Sequence, residues 1–240
     1  MLPLNRKTVL VTRPESQNQE FINLLKAEGI QPVVLPTVAL ELCKKLPEKG
    51  ILQAKNFDFT ILTSPSAVDF FHDAYGDFSS KFAVIGEKTA TKCTQYHYPV
   101  YFISKENNAR SFSKDFKEQN KNLLFPHSNL TNLNDYLPVL EKNHVFEFDL
   151  YTNKKLHYSK QELLQVVKTD AYTFFSKSSA DAFFELLNKY QIELDSSKKI
   201  VCIGQSTVKG VPKKYSEQIY CPEHPSTKHI VDLIVRLFNA

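Results

Sequence analysis

The feature that most constrains this chain is an internal duplication. FTILTSPSAVDFF, Phe59 to Phe71, is echoed by YTFFSKSSADAFF, Tyr172 to Phe184, and AVIGEKTA, Ala83 to Ala90, is echoed by VCIGQSTV, Val201 to Val208. A weaker echo links VLVTRP and the helix and strand after it, Val9 to Leu35, with LLFPHS and the helix and strand after it, Leu123 to Leu150. Self-similarity on this scale means that one supersecondary design is used twice.

The design alternates strand and helix. Thr8 to Val11 reads as a strand closed by Arg13-Pro14, and Ser16 offers an N-cap to a helix with Phe21, Leu24, Leu25 and Ala27 on one face, ending at Gly29. Val33 to Leu35 is the next strand, stopped by Pro36. Phe57 to Thr63 and Phe82 to Ile85 repeat the pattern, with helices opening at Ser64-Pro65-Ser66 and near Thr89 after Gly86. Strands joined by helices build parallel sheets, so two copies predict an α/β chain of two parallel-sheet domains. Thr37 to Cys43 and Phe148 to Lys154 have neither helical nor turn grammar. They read as two linkers side by side, which makes the cleft between the domains the natural site.

Composition closes off other classes. Apolar residues at 42% allow a substantial core, and without a low-complexity run the chain is an ordinary globular one. The first apolar run, Thr8 to Val11, is too short for a signal peptide or a span, so a cytoplasmic protein with no membrane partner is expected. Cys43, Cys93, Cys202 and Cys221 form no CxxC pair and read as buried free thiols. The net charge of +4 favours an anionic ligand. Its lysines are scattered, with only pairs such as Lys44-Lys45, Lys154-Lys155 and Lys213-Lys214, so nucleic acid is not expected.

The candidate chemistry lies at the strand-to-helix turns, where Thr12, Thr63, Ser64, Ser66, Thr89, Ser128, Ser176, Ser178, Ser179, Ser206 and Thr207 recur. Helix N-termini present unpaired N–H groups and a partial positive charge, and a hydroxyl adds a donor, so each turn can take a carboxylate or phosphate. Ser and Thr also cap helices that bind nothing, so one such turn says little and their repetition says more. With six glycines there is no GxGxxG and no GxxxxGK[ST], and no HExxH occurs. The histidines, His127 among them, have no metal-site spacing and read as surface or packing residues. Phe59, Phe71, Phe174, Phe175 and Phe184 read as core, whereas Tyr151 sits in a linker where a phenol can reach into the interdomain space.

In order along the chain, VLVTRP, TSPSAV, VIGEKTA, LYT, FFSKSSA, IGQST and HPSTKHIVDLI resemble the uroporphyrinogen-III synthase family from Val9 to about Ile234. The resemblance implies two interleaved, flavodoxin-like parallel-sheet domains joined by a two-stranded linker, with the ligand cleft between them. Domain one would be 1–37 with 154–240 and domain two 38–153. It also implies a cytoplasmic monomer that ionises hydroxymethylbilane to an azafulvene, inverts ring D through a spirocyclic pyrrolenine and closes the ring with loss of water. No metal, flavin or nucleotide cofactor is implied; a transient contact with hydroxymethylbilane synthase is.

Tyr151 matches the family's recurrent tyrosine and is the catalytic candidate, although LYTN lacks the threonine at the usual spacing. Arg13, Asn129 and Lys177 join the hydroxyl residues as candidate substrate-binding groups. Lys177 and Ser178 stand where the family usually has serine and proline, and His127-Ser128-Asn129 lacks the glycine and arginines common at that turn. A non-catalytic tetrapyrrole-binding or regulatory homologue is the alternative, since fold alone does not fix activity.

Overall fold

The computed structural model describes residues 7–240. In chain order the elements are β1 (Thr8–Val11), α1 (Gln19–Ala27), β2 (Gln31–Val34), β3 (Val38–Leu42), α2 (Lys49–Ala54), β4 (Phe59–Leu62), α3 (Pro65–Tyr75), β5 (Lys81–Val84), α4 (Glu87–Gln95), β6 (Val100–Ile103), α5 (Ala109–Asp115) and β7 (Asn122–Ser128). They continue with α6 (Leu137–Leu140), β8 (His144–Lys155), α7 (Lys160–Val166), β9 (Ala171–Phe174), α8 (Lys177–Lys189), β10 (Lys199–Cys202), α9 (Gln205–Val208), β11 (Ile219–Tyr220) and α10 (Thr227–Asn239).

Two compact units result. One runs to Ala39 and resumes at Lys154; the other is Leu40–Asn153. The first holds a five-stranded sheet in the order β11-β10-β9-β1-β2, parallel throughout. The second holds β3-β8-β7-β4-β5-β6, in which β4 to β8 are parallel. Leu156 N–H donates to Thr37 C=O and Cys43 N–H to Leu150 C=O, so β3 runs antiparallel to β8. The chain leaves the first unit within β3 and returns to it within β8.

The echoed segments occupy equivalent strands. Setting β9 against β4, β10 against β5 and β1 against β7 makes the two parallel orders coincide, with β2 matching β8 and β11 matching β6. Each order reverses at one place, between β1 and β9 in one sheet and between β7 and β4 in the other. Ligands of open α/β sheets bind beyond the carboxyl ends of the strands at such a reversal.

Each sheet is covered on both faces, which is why its central strands are near-continuous apolar runs. In β1, Leu10 packs with Tyr172, Phe174 and Phe183 on one face, while Val9 and Val11 pack with Phe21, Leu25, Ile230 and Ile234 on the other. The second sheet likewise places Leu62, Phe71, Phe82 and Leu150 on one side and Phe59, Ile61, Phe112 and Phe125 on the other. A fully buried Phe such as Phe21 or Phe71 stabilises its layer by about 2–3 kcal/mol.

Two helix starts differ from the sequence-based expectation. Ser16 lies in a 3-10 turn, Glu15–Gln17, and α1 begins after Asn18, which makes no side-chain cap bond; Asn18 Nδ2 instead donates to Arg13 C=O at 3.2 Å. α4 starts at Glu87 because Gly86, at φ 77°, turns the chain directly into it.

Candidate functional site

In the second unit, β4 runs into Thr63, Ser64 and α3. Ser64 caps the helix, its Oγ accepting from Ala67 N–H at 3.1 Å, with Pro65 opening the first turn and Ser66 half-buried beside it. The Tyr136 phenol is hydrogen-bonded to Thr63, and Ser64 Oγ lies 3.3 Å from the Tyr151 hydroxyl. On the other side of the reversal, Ser128 Oγ accepts from Leu130 N–H at 3.2 Å, and the Tyr151 phenol is also hydrogen-bonded to Ser128. Exposed Asn129 donates its N–H to Tyr151 C=O and accepts Asn153 N–H on Oδ1 at 2.8 Å.

Tyr151 therefore does not reach outward from a linker. It is 8% exposed, stacks on Phe70 with ring centres 5.0 Å apart, and joins the core layer of Leu62 and Phe71. The cause is a register shift, a β-bulge. His127 pairs with Asp149, but Ser128 pairs with Tyr151, so Leu150 is skipped and the successive residues Leu150 and Tyr151 are both buried. Burial raises the phenol's pKa above its ordinary value, partly offset by the hydrogen bonds with Ser64 and Ser128. At neutral pH the group keeps its proton and is available as a donor.

In the first unit, β1 runs into Thr12 and Arg13. The Arg13 guanidinium lies 4.3 Å from the centre of the Phe175 ring. One terminal nitrogen reaches Gln17 Oε1 at 3.4 Å, while the buried Nε has no hydrogen-bond partner. Burial lowers the guanidinium's pKa. β9 runs through Phe175 into Ser176, which caps α8 by accepting from Ser179 N–H at 3.1 Å. Its Oγ also lies 3.1 Å from Ser178 Oγ and 2.8 Å from Ser179 Oγ. Lys177 is paired with Asp181 at 2.5 Å along the helix, and Ser206 is exposed in α9.

Four expected ligand hydroxyls are turned inward. Thr12 donates to Thr173 C=O at 2.7 Å and Thr89 to Ile85 C=O at 2.7 Å, while Ser179 and Thr207 are each 1% exposed. Thr12 and Thr89 fasten turn to strand, Ser179 meets Ser176 within its own turn, and the donors such turns present are main-chain amides. Phe175, expected in the core, is half-buried beneath Arg13 and edge-on to Phe21 at 4.9 Å. Cys93 and Cys202 are buried, Cys43 and Cys221 only partly.

Sequence reasoning missed three groups. Tyr136 carried no turn signal. His127, read as surface or packing, is 5% exposed with Nε2 2.6 Å from Glu147 Oε2. Ser226 follows β11 and caps α10, its Oγ accepting from His229 N–H at 3.2 Å and lying 2.6 Å from His229 Nδ1. The segment HPSTKHIVDLI supplied that last signal, and Asn108 caps α5 at the equivalent place after β6.

The family model for uroporphyrinogen-III synthase HemD matches residues 19–232. The chain belongs to the uroporphyrinogen-III synthase family. A uroporphyrinogen-III synthase of Chlorobaculum parvum is 24% identical over 236 residues, covering 91% of this chain and 94% of that one. A Methanocaldococcus jannaschii protein, provisionally named as the same enzyme, is 28% identical over 220 residues, covering 85% and 88%. The crystal structure of the Helicobacter pylori uroporphyrinogen-III synthetase has the same fold, with a TM-score of 0.65 at 16% identity over 97% of this chain and 99% of that one. Uroporphyrinogen-III synthases are cyclising lyases of haem biosynthesis. No helix among the described residues is long and apolar enough to cross a membrane.

Proposed function

We propose that this member of the family is an active synthase in the cytoplasm, working as a monomer on hydroxymethylbilane and closing it to uroporphyrinogen III with inversion of ring D and loss of water. Domain one, 1–37 with 154–240, and domain two, 38–153, each contribute donors to the same substrate. The observation that carries the reading is the pair of matched reversals: α3, capped by Ser64, and α8, capped by Ser176, start at equivalent strand ends. First-turn amides of helices this long suit the carboxylates of a linear tetrapyrrole.

In this reading Arg13, Ser66, Asn129, Lys177, Ser178 and Ser206 add side-chain contacts, and the buried hydroxyls hold the turns in shape. Tyr151, protonated at neutral pH, donates to the departing hydroxyl while the adjacent pyrrole nitrogen pushes it out. Holding the flexible chain with ring D's substituted carbon against ring A supplies most of the rate. The substrate arrives by transient contact with hydroxymethylbilane synthase. An assay fed with hydroxymethylbilane that separates isomer III from isomer I tests the reading, because isomer I forms spontaneously and gives the baseline. Isomer III above baseline is expected; isomer I alone would leave a non-catalytic tetrapyrrole binder.

A further inference from the structure

We infer that His127 is a positioning residue that holds the bulge aiming Tyr151 at its partners. The His127 ring is buried at the end of β7, with Nε2 2.6 Å from Glu147 Oε2. Its Nδ1 lies 3.0 Å from Ser128 C=O and 3.4 Å from Asp149 Oδ1. The Phe125 ring packs against it at 5.1 Å. All three polar contacts of the ring are to oxygens, Nε2 meeting a carboxylate and Nδ1 a carbonyl and a second carboxylate.

The bulge gives those contacts a consequence. Strand residues alternate between faces, so an unbulged β8 would send Tyr151 to the face of Glu147 and Asp149. Leu150 is the residue skipped, between the Asp149 and Tyr151 pairings. Tyr151 therefore emerges on the face of Phe148 and Leu150, where Phe70 and Ser64 meet it. His127 grips Glu147 and Asp149 before the skipped residue, and its bond to the Ser128 carbonyl holds the residue whose side chain meets the phenol. Substitution of His127 releases all three ties together.

The assignment of Tyr151 as donor rests on the proposed synthase activity, but its placement can be read without substrate. Labelling tyrosine at 13Cζ gives lines from the 11 tyrosines, and the Tyr151 line is the one lost in Tyr151→Phe. In His127→Leu that line should move while the lines of Tyr172 and Tyr190, which belong to the first unit, stay. Turnover should fall about tenfold, on the scale of one hydrogen bond, with KM little changed, and His127→Gln, which retains an amide donor, should recover part of both. An unmoved Tyr151 line with unchanged turnover in folded His127→Leu would overturn the assignment. Should His127→Leu fail to fold, Glu147→Gln decides: this carboxylate is half-exposed and outside the Tyr151 contacts, and only a positioning chain carries its loss to the Tyr151 line. A moved line in a protein that forms no isomer III would leave the positioning role standing and remove the synthase reading; an unmoved line in an active synthase would do the reverse.

Discussion

Arg13 rests on Phe175, its guanidinium carbon 4.3 Å from the ring centre, where β1 and β9 diverge at the reversal of the first sheet. The half-buried guanidinium, whose Nε has no hydrogen-bond partner, is available to an anionic oxygen. Arg13→Gln should raise KM for hydroxymethylbilane by roughly ten- to a hundredfold, the range of a hydrogen bond to a charged group, and leave turnover nearly unchanged. Steady-state kinetics with a circular-dichroism check of the fold would decide; an unchanged KM would remove Arg13 from substrate binding.

Tyr151→Phe should lower turnover without altering the fold, since it deletes one hydroxyl and leaves the stack on Phe70 in place. Loss of a donor to developing charge costs up to about 3 kcal/mol, and less is expected where the pyrrole nitrogen shares the work. Single-turnover rates would measure the loss, and a wild-type rate would exclude the phenol from the chemistry.

The hydroxyl turns divide into two groups with different expected phenotypes. Thr12→Ala and Thr89→Ala remove buried bonds to backbone carbonyls, so each should lower the urea midpoint by the equivalent of about 1–3 kcal/mol and leave KM alone. Thr63→Ala and Ser176→Ala should each raise KM only modestly, because the helix amides remain, and together they should raise it more than either alone. A single change that abolished activity in a folded protein would contradict distributed binding.

Much of this arrangement was legible in the chain itself. TSPSAV and SKSSAD announced the α3 and α8 turns because a serine cap ahead of a helical apolar face is a local signal, and the echoes located equivalent strands. Hydroxyl direction was not legible: Thr89 and Thr63 look alike in sequence, but only the sheet shows that Thr89 points back at Ile85. The turn of Tyr151 depends on a register skip opposite β7, a pairing between residues far apart in the chain that no local pattern encodes.

Alkali should weaken the protein through its buried thiols. Burial pushes Cys93 and Cys202 up to about 12 from an ordinary 9.0. Between about pH 9 and 12 the unfolded chain has therefore released protons that the folded one still holds, and stability falls as pH rises, by at most about 1.4 kcal/mol per pH unit for each thiol. Urea titrations near pH 8.5 and 10.5 should show the loss. Cys93→Ala and Cys202→Ala should flatten it; an identical slope in both would assign the loss to other groups.

The insertion of one unit between β2 and the rest of the other shapes how the chain emerges from a ribosome. β1 pairs with β9, Val9 against Ala171, so β1, α1 and β2 wait for more than half of the chain to be made before their sheet has its central neighbour. The inserted unit is continuous in sequence and can close first, since domains fold as units during synthesis. Until β9 arrives, apolar Val9, Leu10 and Val11 lack one flanking strand, and that nascent interval is where a chaperone would find this protein.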